Sequence, residues 1–108
     1  MSQDILLSNL ETVPDRRISR HLGLVQGSTV RAKSFGHDMM AGFKNFFGGE
    51  LKGYSELLQE SREEAIERMQ QQAAAIGANA VLNIRFSTSS ITSGASELFA
   101  YGTAVVLD

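Results

Sequence analysis

From Leu51 to Ile76 the apolar and small positions return at steps of three and four: Leu51, Tyr54, Leu58, Ser61, Ala65, Met69, Ala73 and Ile76. That spacing puts one stripe on one face of a helix. Leu57, Ile66 and Ala74 widen the stripe, and Glu56, Glu60, Glu63, Glu64, Glu67, Arg68 and Gln71 fill the other side. Glu64 and Arg68 stand in the favourable i,i+4 order. Gly77 follows, where a helix C-terminus needs a left-handed residue. The pattern then switches period. Ala80, Leu82, Ile84 and Phe86 alternate with Val81, Asn83, Arg85 and Ser87, which predicts a half-buried strand over Ala80 to Thr88.

The remaining segments are shorter. A lead of residues 1–16 carries a strand signal around Ile5 to Leu7 and a turn at Val13-Pro14-Asp15. Ile18 to Val25 reads as a strand, Gln26-Gly27-Ser28 as a turn, and Thr29 to Ala32 as a short return. Asp38 is placed to cap a short helix through Phe47, whose stripe is Met39, Met40, Phe43, Phe46 and Phe47. Gly48-Gly49 separates the two helices. A Ser/Thr/Gly connection, Ser87 to Ser96, leads to a last strand from Glu97 to Leu107. There is no internal repeat and no linker, so residues 1–108 are read as one domain. The order predicts an α+β, two-layer βαββ unit. Its sheet is expected to be antiparallel in order 1-3-2, with one long helix on one face.

Composition narrows the function classes. The 108 residues suffice for one modest core, and a hydrophobic content of 43% argues against wholesale disorder. The net charge is −2 and the Lys and Arg residues are scattered, so no nucleic-acid partner is expected. No apolar run approaches the ~20 residues of a membrane span. The N-terminus lacks a signal-peptide pattern, and a cytoplasmic location is expected. The absence of Cys excludes disulfides, thiol catalysis and thiolate metal sites.

Candidate chemistry is sparse. Metal ligands come down to His37, Asp38 and His21, and Asp38 has the simpler role of a helix cap. Glu60/Glu64 and Glu63/Glu67 are carboxylate pairs at i,i+4, which could hold a hard cation but read more simply as a solvated helix face. No Ser sits in a Gly-x-Ser-x-Gly elbow. Gly48-Gly49 and Gly53 lack the strand-first context of a phosphate cradle and read as a hinge. The Met/Phe stripe reads as a packing surface. Tyr54 and Tyr101 could stack a flat ligand by analogy of fold alone. No catalytic residue and no cofactor is indicated.

The geometry also bears on assembly. A helix of this length spans ~40 Å, whereas a compact domain of this size is ~34 Å across. On that estimate the helix overhangs its sheet, and three strands leave a face and two edges open. A closed ring of copies would answer both problems; the alternative is a monomer with the lead segment folded over the sheet.

Several features, in order, resemble the YbjQ-like family. They are Ala41-Gly42, Gly48-Gly49, Gly53-Tyr54, Arg62 and Ala65, Gly77-Ala78-Asn79-Ala80-Val81, and Gly102-Thr103-Ala104-Val105. The resemblance covers residues 18–107. It implies a dodecin-like βαββ subunit, pentameric rings and a family labelled as heavy-metal-binding but uncharacterised. The helix opening Glu50-Leu51-Lys52 and the Ser/Thr-rich connection depart from the family pattern. The leading expectation is a non-enzymatic homo-oligomeric ring or scaffold for a small ligand or protein partner. Heavy-metal binding is the alternative, and an enzyme with a site at subunit interfaces is the third.

Overall fold

The computed structural model describes residues 4–31, 49–92 and 95–108. The expected short helix, Asp38 to Phe47, lies outside them. The elements run β1 (Leu6–Leu7), β2 (Ile18–Arg31), α1 (Gly49–Ala75), β3 (Ala80–Thr92) and β4 (Ala95–Leu107). Gly49 is the first described residue of the helix, and Gly48, the other half of the expected hinge, lies outside the described residues.

The four strands form one mixed sheet in the order β1-β3-β4-β2. This corrects the expected three-stranded antiparallel sheet in order 1-3-2. The lead strand adds a fourth member, parallel to β3, with Leu6 opposite Ala80 and Leu7 opposite Val81. Backbone bonds Leu6 N–H to Asn79 O (3.0 Å) and Ser8 N–H to Val81 O (3.1 Å) hold it there. Among the long strands, β4 is central and antiparallel to both β2 and β3.

β2 is one strand of 14 residues, not two strands joined by a turn. Gly27, read as a turn glycine, sits in the strand interior opposite Ala100. A Cβ at Gly27 would stand 2.3 Å from both Ala65 O and Met69 N of α1. The glycine lets helix backbone rest directly on the strand. The expected Ser/Thr loop is likewise mostly strand, since Ser87, Thr88 and Ser89 pair with Phe99, Leu98 and Glu97.

The core lies between α1 and one sheet face. Ala65, Met69 and Ala73 of the predicted stripe are fully buried against Val25, Val81, Ala100 and Ala104. Ser61 is buried as well, while Leu58 and Ile76 at the stripe's ends are exposed. The helix lies mainly over β2 and β4 and touches β3 little. It also guards the outer edge of β2. The Gln26 N–H donates to Gln72 Oε1 (2.7 Å), and Arg68 donates to Ser28 O. Glu64 pairs with Arg68 at 3.5 Å, as its spacing predicts.

Gly77 has φ +87°. The Ala78 N–H bonds Ala73 O and the Gly77 N–H bonds Ala74 O, both at 3.1 Å, which completes a Schellman stop. Asn79 then starts the strand with its side chain. Its Nδ2 donates to Leu107 O (2.9 Å) and its Oδ1 accepts from Leu107 N–H (2.7 Å), so the amide acts as one more rung of the β3–β4 ladder.

The expected overhang of the helix does not arise. Strands of 13 and 14 residues reach ~43–46 Å at ~3.3 Å per residue. The molecule is correspondingly elongated, 53 × 27 × 26 Å, with a radius of gyration of 16.9 Å.

Candidate functional site

β4 carries small residues on its helix side, Ala100, Gly102 and Ala104, and its two neighbours both bulge opposite them. In β2, Leu22 and Gly23 together oppose Ala104, and Gly23 has φ +117°. In β3, Asn83 and Ile84 together oppose Gly102, and Asn83 has φ +57°. A bulge bends its strand and re-aims side chains, and non-glycine residues with positive φ are uncommon. The β3 bulge also breaks the alternation read from sequence. Val81 and Ile84 both pack toward the helix, whereas Ala80 and Leu82 belong to a second cluster on the opposite face with Val105 and Leu107.

On that opposite face the bulges frame a pocket of about 360 Å³. Its floor is Leu82, Val105 and Thr103, and Ile18 forms part of the wall. Its polar rim is Glu11, His21 and Asn83. The lead segment places Glu11 there. Leu10 O accepts from the Asn83 N–H (2.9 Å), Ser8 O from the Ile84 N–H (3.1 Å), and Asn9 O from Arg85 Nη1 (3.1 Å). Leu6 and Val13 of the same segment cover Ala80, Leu82, Val105 and Leu107. At the strand ends, Arg17 pairs with the Asp108 carboxylate and Arg16 Nε donates to Asp108 O (2.7 Å).

A second, more open groove of about 480 Å³ lies on the helix side beside β3, lined by Leu7, Leu10, Ile66, Ile84, Arg85 and Phe86. It exists because α1 is displaced toward β2 and leaves Phe86 uncovered at 43% exposure.

Of the expected metal ligands, His21 reaches the first pocket, while His37 and Asp38 lie outside the described residues. Glu11, which joins His21, was missed; its approach depends on the path of the lead and has no sequence signature. Among the described residues no three His, Cys, Asp or Glu side chains come together. Glu11 and His21 alone do not make the soft, closed donor set that a heavy metal favours. The helix carboxylates Glu60, Glu63 and Glu67 are exposed, and Glu63 accepts a bond from Gln59 (3.3 Å). Tyr101 stands on the open sheet face beside Phe99, with ring centroids 5.8 Å apart. The side chain of Tyr54 is not described. Among the described residues no helix is long and apolar enough to cross a membrane.

Residues 5–108 match the model of the YbjQ_1 family, described as "Putative heavy-metal-binding". The chain belongs to this family. The match includes the lead strand, beyond the 18–107 that the motifs suggested. A UPF0145 protein of Hahella chejuensis is 62% identical over 104 residues, covering 96% of this chain and 100% of that one. A UPF0145 protein of Archaeoglobus fulgidus is 50% identical over 107 residues, covering 99% of each. A crystal structure from Pediococcus pentosaceus, of a protein of unknown function in the DUF74 family, superposes with TM-score 0.63 over 98% of this chain and 100% of that one. At 12% identity it supports the fold alone.

Proposed function

We propose that the chain is a non-enzymatic subunit of a homo-oligomeric ring, a dodecin-like pentamer, that serves as a binding scaffold. The observation that carries this reading is the sheet surface that the described residues leave uncovered. On the face away from α1, Leu24 is 71% exposed and Val30 53% exposed, beside the half-buried Phe99 and Tyr101. Along β3, no described strand pairs with the outer edge from Arg85 to Thr92. An open edge next to an apolar face is a template for another chain. A contact using two different surfaces closes into a ring when its rotation permits. The family resemblance supports five copies. The non-enzymatic part rests on the sequence, which carries no Cys and no Gly-x-Ser-x-Gly elbow. Sedimentation equilibrium at micromolar concentration tests the reading. A single species of five subunits is expected, and a stable monomer overturns it.

Heavy-metal binding is a second reading. It rests on the family description and on Glu11 and His21 facing one pocket. Titration calorimetry with zinc, copper and nickel tests it, and flat traces for all three dispose of it.

A further inference from the structure

The pocket between the two bulges has a one-sided chemistry. Its rim carries one carboxylate, Glu11, one imidazole, His21, and one amide, Asn83. None of its described lining residues is Lys or Arg. All three side chains are exposed at the pocket mouth, and none is held by a hydrogen bond among the described residues, so a ligand that engages them displaces only water. The floor is hydrocarbon: Leu82 and Val105 are each 2% exposed. A concave site with an apolar floor and a few convergent polar groups is the usual build of a small-molecule site, and its volume of about 360 Å³ falls at the lower end of the usual ~300–1,000 Å³.

We propose that this pocket binds a small organic amine with a compact apolar body. The ammonium group would pair with Glu11 and donate to His21 and Asn83, while the hydrocarbon body covers Leu82, Val105 and Ile18. The Glu11 carboxylate disfavours anions by direct repulsion. Neutral molecules of the same shape gain the floor contacts but leave Glu11 without a charged partner. Two features hold the site in place. The backbone bond from Asn83 to Leu10 fixes the lead to the bulge, and the positive φ of Asn83 sets where its side chain emerges. Every lining residue named comes from one chain, and the pocket lies on the face where Leu24, opposite Thr103, is proposed to meet a neighbouring copy, so its mouth must stay open in the ring.

The test uses the intact assembly and three probes of matched size: benzylamine, benzyl alcohol and benzoate. Relaxation-optimised amide spectra are followed during titration. Benzylamine is expected to shift the amides of Glu11, His21, Asn83 and Thr103, and to bind about tenfold or more tighter than the other two, as a charge-assisted bond implies. Glu11→Gln should reduce benzylamine to the level of benzyl alcohol without changing the melting temperature. Glu60→Gln, on the far side of the helix, should leave the affinity as it was. Equal shifts with all three probes, shifts confined to other residues, or no shift at millimolar benzylamine would each overturn the proposal. So would an unchanged affinity in Glu11→Gln. Zinc chloride is titrated as a separate arm; if it alone moves these amides, the site belongs to a metal and not to an amine.

Discussion

The two faces of the central strand β4 differ in side-chain size, and the difference separates what holds the subunit together from what it offers outward. Toward α1, β4 presents Ala100, Gly102 and Ala104, and β2 adds Gly27. These small residues bring helix backbone down onto the sheet. Away from α1, the same strand presents Phe99, Tyr101, Thr103 and Val105. There the lead segment covers only the end carrying Val105 and Leu107, and Phe99 and Tyr101 stay partly open. A folding core needs close approach and tight packing. A binding or assembly surface needs large side chains that still have area to give.

The strongest way to break this contrast is at the close approach. Gly27→Val should destabilise the subunit by about 3 kcal/mol or more, or prevent folding, because the new atoms meet helix backbone that cannot rotate away. Urea denaturation measures it; a loss under ~1 kcal/mol would mean that α1 lifts off the strand easily. Gly77→Val comes next, with a loss above ~1 kcal/mol expected from a β-branched residue at φ +87°. Neutral melting would argue for another kind of helix stop.

On the open face the effect should be on size and hardly on subunit stability. Leu24→Ser is expected to cost an isolated subunit no more than ~0.5 kcal/mol, since the side chain is 71% exposed. In sedimentation it should weaken or dissociate the proposed ring, and an unchanged assembly would place the interface elsewhere. The smallest change is expected at Thr29. This residue is 1% exposed and its Oγ1 lacks a hydrogen bond. Thr29→Val should be neutral or stabilising by up to ~1 kcal/mol in thermal melts, because it removes an unpaired buried hydroxyl at nearly constant shape. A clear loss would reveal a partner for that oxygen.

Sequence and structure part company at the glycines and the lead. Gln26-Gly27-Ser28 has the composition of a turn, yet Gly27 is where a strand lies against a helix. Nothing local distinguishes the two uses of glycine; only Ala65 and Met69 of the helix, 38 and 42 positions later, do. Asn83 was likewise one more position in an alternating strand. Its bulge follows from the ladder with β4 and from the bond to Leu10, both contacts distant in sequence. His21 could be singled out by its type, but Glu11 could not be joined to it, because their meeting depends on how the lead crosses the sheet.

The sequence by itself determined the long helix, its Gly77 stop, the strand that follows and the α+β class, because those rest on periodicity and on one backbone conformation that side chains resist. Tertiary structure decided the rest: the fourth strand, the single continuous β2, the two facing bulges and the pocket between them. Each of those depends on pairing and close approach between segments far apart in the chain, where a residue's meaning is set by what is brought against it.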